Sequence, residues 1–207
     1  GPKRDIVGEM GKAIRKRDMK FVTTFHHARA GRSQEGSELK QMREWYYYGR
    51  DQYYLREAPD NVDSSNVQRL YGTMPWEDFL EMWNAKLEEV IDKYHPDIIW
   101  FDSWLHRIPE SNRQRFAAYY LNAVVKRDQE VVITYKQEDM PQNVGVVDFE
   151  KGRMDELTDY TWLTDDTISA GQWTTTGSWS YTEELDIKST RELLHTLIDI
   201  VSKNGNL

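Results

Sequence analysis

The run Asp97-Ile98-Ile99-Trp100-Phe101-Asp102 is almost continuously apolar and closes on a carboxylate. Such a run reads as a strand of a parallel sheet buried on both faces. Its last residue then sits at the C-terminal mouth, where parallel barrels gather their catalytic groups. Asp102 is therefore the first candidate for chemistry, with capping of a following helix as the competing use of the same side chain. Glu150 closes Val146-Val147-Asp148-Phe149-Glu150 in the same way. Two carboxylates at one mouth suit glycoside hydrolysis. In a retaining mechanism one attacks the anomeric carbon and the other protonates the leaving oxygen, at a separation of roughly 5–5.5 Å. Asp148, Asp155, Glu156, Asp165 and Asp166 are close in sequence, so composition alone leaves the proton donor open.

His26 and His27 end an earlier apolar segment, Lys20 to Phe25. Neighbours on a strand point to opposite sides. The pair can therefore donate hydrogen bonds to sugar hydroxyls, or pack with one ring inside and one outside. No third ligand at suitable spacing accompanies them, and a metal site is not expected. Trp45, Trp104, Trp162, Trp173 and Trp179 are candidates for an apolar platform under a sugar ring, with core filling as the alternative for each. Glycine-rich phosphate loops and a G-x-S-x-G elbow are absent.

Alternating elements must position these groups. Asp5 caps a helix whose apolar positions are Ile6, Val7, Met10, Ala13 and Ile14, and the strand ending at His26-His27 follows. Residues 28–73 read as a long loop, and long loops in compact domains are usually functional. Pro75 opens a helix that runs to about Tyr94, with Phe79, Met82, Trp83, Leu87, Val90, Ile91 and Tyr94 on its apolar face. A helix over about 111–127 and strands at 131–135 and 145–149 come next, then a tryptophan-bearing loop. The last helix has a capping box, Ser189 with Glu192, a buried face of Leu193, Leu194, Leu197, Ile198 and Val201, and Gly205 as its C-terminal cap. The alternation predicts an α/β fold, an incomplete (β/α)8 TIM-type barrel with about half its repeats, forming one partial catalytic domain over residues 1–207.

Acidic residues outnumber basic ones by 35 to 27, and no basic stripe stands out, so nucleic acid is not an expected partner. There is no cysteine, which excludes disulfides, thiolate nucleophiles and cysteine-bound zinc. No apolar run is long enough to span a bilayer.

Three stretches resemble the α-L-fucosidases of glycoside hydrolase family twenty-nine. His95-Pro96-Asp97-Ile98-Ile99-Trp100-Phe101-Asp102 is similar to that family's nucleophile strand. Asp148-Phe149-Glu150-Lys151-Gly152-Arg153, then Trp162-Leu163-Thr164-Asp165-Asp166-Thr167-Ile168 and Ser178-Trp179-Ser180-Tyr181, resemble the segment that follows it. Val201-Ser202-Lys203-Asn204-Gly205-Asn206-Leu207 resembles the family's V-S-K-N-G-N-L. The resemblance implies a retaining exo-α-L-fucosidase without a cofactor, acting on a fucosylated oligosaccharide or glycoconjugate outside the cytoplasm or in the periplasm. Asp102 would be its nucleophile and Glu150 its acid/base. His26, His27 and Trp45 would bind the sugar, joined by Trp104 and Trp179 from the aromatic candidates read off residue type. Some members place the acid/base glutamate just after the signature tryptophan, where Leu163 stands here, which moves the expectation upstream to Glu150, with Glu156 behind it. The same departure lends weight to one alternative, a non-catalytic sugar-binding barrel, and a retaining glycosidase for another sugar is a second. The resemblance also implies further barrel strands before Gly1 and a C-terminal β-domain after Leu207.

Overall fold

In the computed structural model, residues 3–30, 74–102, 104–136, 139–171, 178–181 and 183–207 are described. The chain divides into two compact units, Gly1–Ile133 and Thr134–Leu207.

In the first unit, helix α1 (Ile6–Arg15) starts at Asp5, whose carboxylate accepts the Gly8 N–H at 3.0 Å and satisfies a donor the helix leaves open. Strand β1 (Val22–Phe25) leads into a 3-10 turn over His27–Ala30. Helix α2 (Trp76–Tyr94) stops where His95 takes a left-handed conformation, φ 50°, and Pro96 has no N–H with which to continue. Strand β2 (Ile98–Phe101) and helix α3 (Glu110–Val125) follow, and strand β3 (Val132–Lys136) begins in this unit.

Strands β1 and β2 pair in parallel, with Val22 against Ile98 and Phe25 against Phe101. This register sorts the side chains by face. Phe25 and Phe101 turn to the helix layer, where the Phe101 ring meets Phe116 edge-on at 5.0 Å and Trp83 at 6.1 Å. Trp83, Leu87, Ile91, Ile99, Phe116 and Tyr120 are fully buried with it. Each such side chain contributes about 1.5–3 kcal/mol of burial free energy. Val22, Thr24, Ile98 and Trp100 take the other face.

Asp97 levels the strand starts. Its Oδ2 accepts the Phe21 N–H at 2.7 Å, its Oδ1 accepts the Gln129 side-chain amide at 3.2 Å, and its carbonyl accepts the Val132 N–H at 3.0 Å. A groove of about 880 Å³ opens at this end, lined by Arg15, Lys20, Asp97, Arg127 and Gln129 among others. Arg15 and Gln129 donate there to the backbone carbonyls of Tyr94, His95 and Pro96. The groove is thus part of the fastening of α2 to the strand starts, at the opposite end of β2 from Asp102.

In the second unit β3 pairs in parallel with strand β4 (Val146–Asp148), β4 with strand β5 (Trp162–Leu163), and β5 with strand β6 (Gly205–Asn206). Helix α4 (Thr190–Ser202) precedes β6 and carries the expected capping box. Ser189 Oγ accepts the Glu192 N–H at 3.2 Å, and the Glu192 carboxylate accepts the Ser189 N–H at 2.8 Å.

The structure corrects three expectations here. Trp162 and Leu163 form a strand and not loop, and of the two uses left open for Trp162 the structure shows core filling: its ring is fully buried, edge-on to Phe149, and its Nε1 donates to the Lys203 carbonyl at 2.9 Å. Gly205 does not cap α4. Asn204 takes the left-handed position, φ 67°, and Gly205 lies in β6, where a Cβ would fall 2.5 Å from the Trp162 ring. Lastly, the apolar face of α4 is not buried as predicted. Leu194, Leu197, Ile198 and Val201 are exposed, and the buried contact is made by Ile200, which reaches towards Gly205. Among the described residues no helix is long and apolar enough to cross a membrane.

Candidate active site

His26 and Asp102 each stand one residue beyond the last paired positions of β1 and β2. The Asp102 N–H donates to the Phe25 carbonyl at 3.1 Å, extending the parallel ladder to the strand end. Alternation along the strands then brings both side chains to the face away from the helices, and His26 Nε2 lies 3.5 Å from Asp102 Oδ2. The contact is at the outer limit of a hydrogen bond. The Asp102 side chain is 20% exposed and that of His26 60%, so the carboxylate is mostly sheltered while its partner meets solvent. Trp100, two residues earlier on the same face, stands edge-on to His26 at 5.9 Å.

Trp104 follows in a left-handed conformation, φ 82°. A bulky residue held there is a backbone outlier of the kind that collects at ligand sites. The Arg107 guanidinium lies over its ring at 4.1 Å, and the His106 ring is 6.0 Å away.

His27 turns the other way. Its ring lies 5.5 Å from Phe25 and 5.9 Å from Trp83, and its Nε2 is buried without a hydrogen-bond partner. Burial, and then the Lys86 charge, push its pKa down to about 3, against a backbone hydrogen bond with Trp83 that favours the proton. His27 is a neutral imidazole in the helix layer. Of the two histidines expected to hold the sugar, the geometry brings only His26 to Asp102.

In the second unit Glu150 occupies an exposed turn after β4, with Lys151 at φ 51°. The turn is sewn to the chain after β5. Phe149 N–H donates to the Leu163 carbonyl at 2.9 Å, Lys151 N–H to the Asp165 carbonyl at 2.9 Å, and Thr164 Oγ1 to the Phe149 carbonyl. Beneath it lies a group that reading the motifs missed. Lys136, the last residue of β3, is buried with its Nζ 2.8 Å from Asp148 Oδ2 and also paired with Asp165 Oδ1. Burial disfavours the ammonium, but the Asp148 and Asp165 carboxylates outweigh it and raise the Lys136 pKa. A lysine closing a buried strand is the signal that could have pointed to this trio, because a buried charge needs partners.

The chain after β5 makes an excursion closed at its base. Ser169 bridges to Ile187, and Lys188 Nζ pairs with Asp166 at 2.6 Å and donates to the Thr167 carbonyl at 2.8 Å. Trp179 on this excursion is partly exposed, with the Lys151 ammonium 4.8 Å from its ring centre. Glu156 is exposed. Trp45 and Trp173 lie outside the described residues. Among the described residues no three histidine or acidic side chains gather to hold a metal ion.

Parallel strands whose C-terminal ends carry ionisable groups, with helices α2 and α3 following β1 and β2, define part of a (β/α)8 barrel with its candidate chemistry at those ends. The chain belongs to the α-L-fucosidase family, whose model matches residues 1–207. It is 25% identical to the tissue α-L-fucosidase of Rattus norvegicus and 26% identical to that of Bos taurus, covering 100% of this chain and 38% of each relative. It therefore spans about two fifths of the length of the relatives it matches. Among solved structures it is similar to a bacterial fucosidase bound to a monovalent iminocyclitol inhibitor, with a TM-score of 0.55. It is also similar to an α-L-fucosidase GH29 from Bacteroides thetaiotaomicron, with a TM-score of 0.54. Both are 18% identical, with 99% of this chain and 43% of the other covered, a likeness that shows the fold.

Proposed function

We propose that this chain is the core of a retaining exo-α-L-fucosidase that removes terminal α-linked L-fucose from glycans. The observation that carries the reading is the His26–Asp102 pair at the ends of β1 and β2. A sheltered carboxylate there can attack the anomeric carbon while His26 orients it or holds a hydroxyl of the sugar. The C1–O bond to the aglycone breaks as the C1–Oδ bond to Asp102 forms, and Glu150, protonated, delivers its proton to the departing oxygen. In the second half Glu150, now a carboxylate, takes a proton from water, the water oxygen bonds to C1, and Asp102 leaves. Trp104 and Trp179 are assigned to the apolar face of the substrate, whose methyl group suits an aromatic surface.

The test is hydrolysis of an aryl α-L-fucoside by the full-length protein carrying this chain, beside Asp102→Gly with and without azide. Loss in the variant and return with azide as a fucosyl azide supports Asp102 as nucleophile. No hydrolysis in the parent favours a sugar-binding barrel, and faster cleavage of another glycoside favours another sugar.

A further inference from the structure

Buried ion pairs are poor sources of net stability, because desolvation offsets most of their attraction, and an apolar replacement of similar size is often neutral or better. Lys136, Asp148 and Asp165 nevertheless come together at the ends of β3 and β4 and just after β5, with the Lys136 and Asp148 side chains almost wholly buried. One ammonium faces two carboxylates that come from separate segments. What the trio does hold is geometry. Asp148 is two residues before Glu150, and Asp165 gives its carbonyl to the N–H of Lys151, one residue after it. The ammonium thus grips both segments that carry the Glu150 turn.

We propose that Lys136 is a positioning residue for the proton donor: clamped between Asp148 and Asp165, it fixes the turn that presents Glu150. The proposal rests on the assignment of Glu150 as acid/base. Without the ammonium this link between the two segments is lost, the seam between residues 149–151 and 163–165 loosens, and the acid is presented less often to the leaving oxygen. The nucleophile, on a different pair of strands, is not touched by this change.

The experiment separates proton donation from general damage by leaving group. Full-length wild type, Lys136→Gln, Lys136→Arg and Glu150→Gln are assayed on a phenyl α-L-fucoside, whose departure needs a proton, and on the 2,4-dinitrophenyl α-L-fucoside, whose departure does not. Glu150→Gln should lose about 100-fold or more in kcat/KM on the phenyl substrate and far less on the other. Lys136→Gln should show the same imbalance, at least about 10-fold between the substrates, and Lys136→Arg should recover part of it. Equal losses on both substrates for Lys136→Gln, beside a clear imbalance for Glu150→Gln, would overturn the positioning role alone. Equal losses for Glu150→Gln would remove Glu150 as the acid, and the proposal with it. Should Lys136→Gln fail to fold, Asp165→Asn, which leaves Asp148 paired, takes its place under the same expectation.

Discussion

Acid should weaken this protein through one side chain, His27. Its ordinary value of 6.5 holds in the unfolded chain, while burial beside Phe25 and Trp83 and the nearby Lys86 charge hold it at about 3 in the folded one. Between those values only the unfolded chain takes up the proton, so stability falls as pH falls, by about 1.4 kcal/mol per pH unit once below 6.5. The contribution is fully present above 6.5 and lost progressively down to about 3. From about pH 7 to about pH 5 the loss from this one group is about 2 kcal/mol, equivalent to a urea midpoint lowered by about 1 M. Lys86 on α2 and the preceding residue His26 are the charged or titratable groups acting on it, and both remain in a His27→Gln variant. Urea unfolding followed by tryptophan fluorescence, with Trp83 beside the site as a reporter, would measure wild type and variant at both pH values. The variant should keep about 2 kcal/mol more of its stability on acidification, whatever its stability at neutral pH. Equal losses in the two proteins would show that the buried imidazole takes up its proton without unfolding, and the reasoning from burial would fail.

Gly205→Ala should destabilise by about 1–3 kcal/mol, because the new methyl meets a Trp162 ring held by Phe149 and by its bond to the Lys203 carbonyl; an unchanged melting temperature would show that the ring can yield. Asp97→Ala should cost about 2–3 kcal/mol by leaving the Phe21 N–H and the Gln129 amide without their acceptor, read as a lowered urea midpoint, while the KM for an aryl fucoside stays within about 2-fold because the change lies at the far end of β2.

What the sequence disclosed and what it hid divide along a physical line. Periodicity is visible wherever several residues share an environment. The alternation of β1 was enough to expect His26 and His27 on opposite sides, and the apolar run of β2 was enough to put Asp102 at a strand end. The capping box of α4 is a four-residue pattern with its own hydrogen bonds, and it formed as read. Two residues have no period, so Trp162 and Leu163 gave no strand signal, and their pairing depends on β4 and β6 lying on either side. The same limit applies to Gly205. Its identity follows from a ring more than forty residues away, while the turn chemistry that suggested a cap is supplied by Asn204. Periodicity also says which positions of a helix share a face but not whether anything covers them, which is why the stripe of α4 was legible and its exposure was not. Lys136 lies on this line. As a lysine closing a buried strand it signals only that partners are needed; the parallel register that sets Lys136 against Asp148, together with the return of the chain at Asp165, says which ones. Candidates for chemistry can be picked from type and position along one strand. Residues that hold them in place belong to three segments at once, and no single stretch of sequence names them.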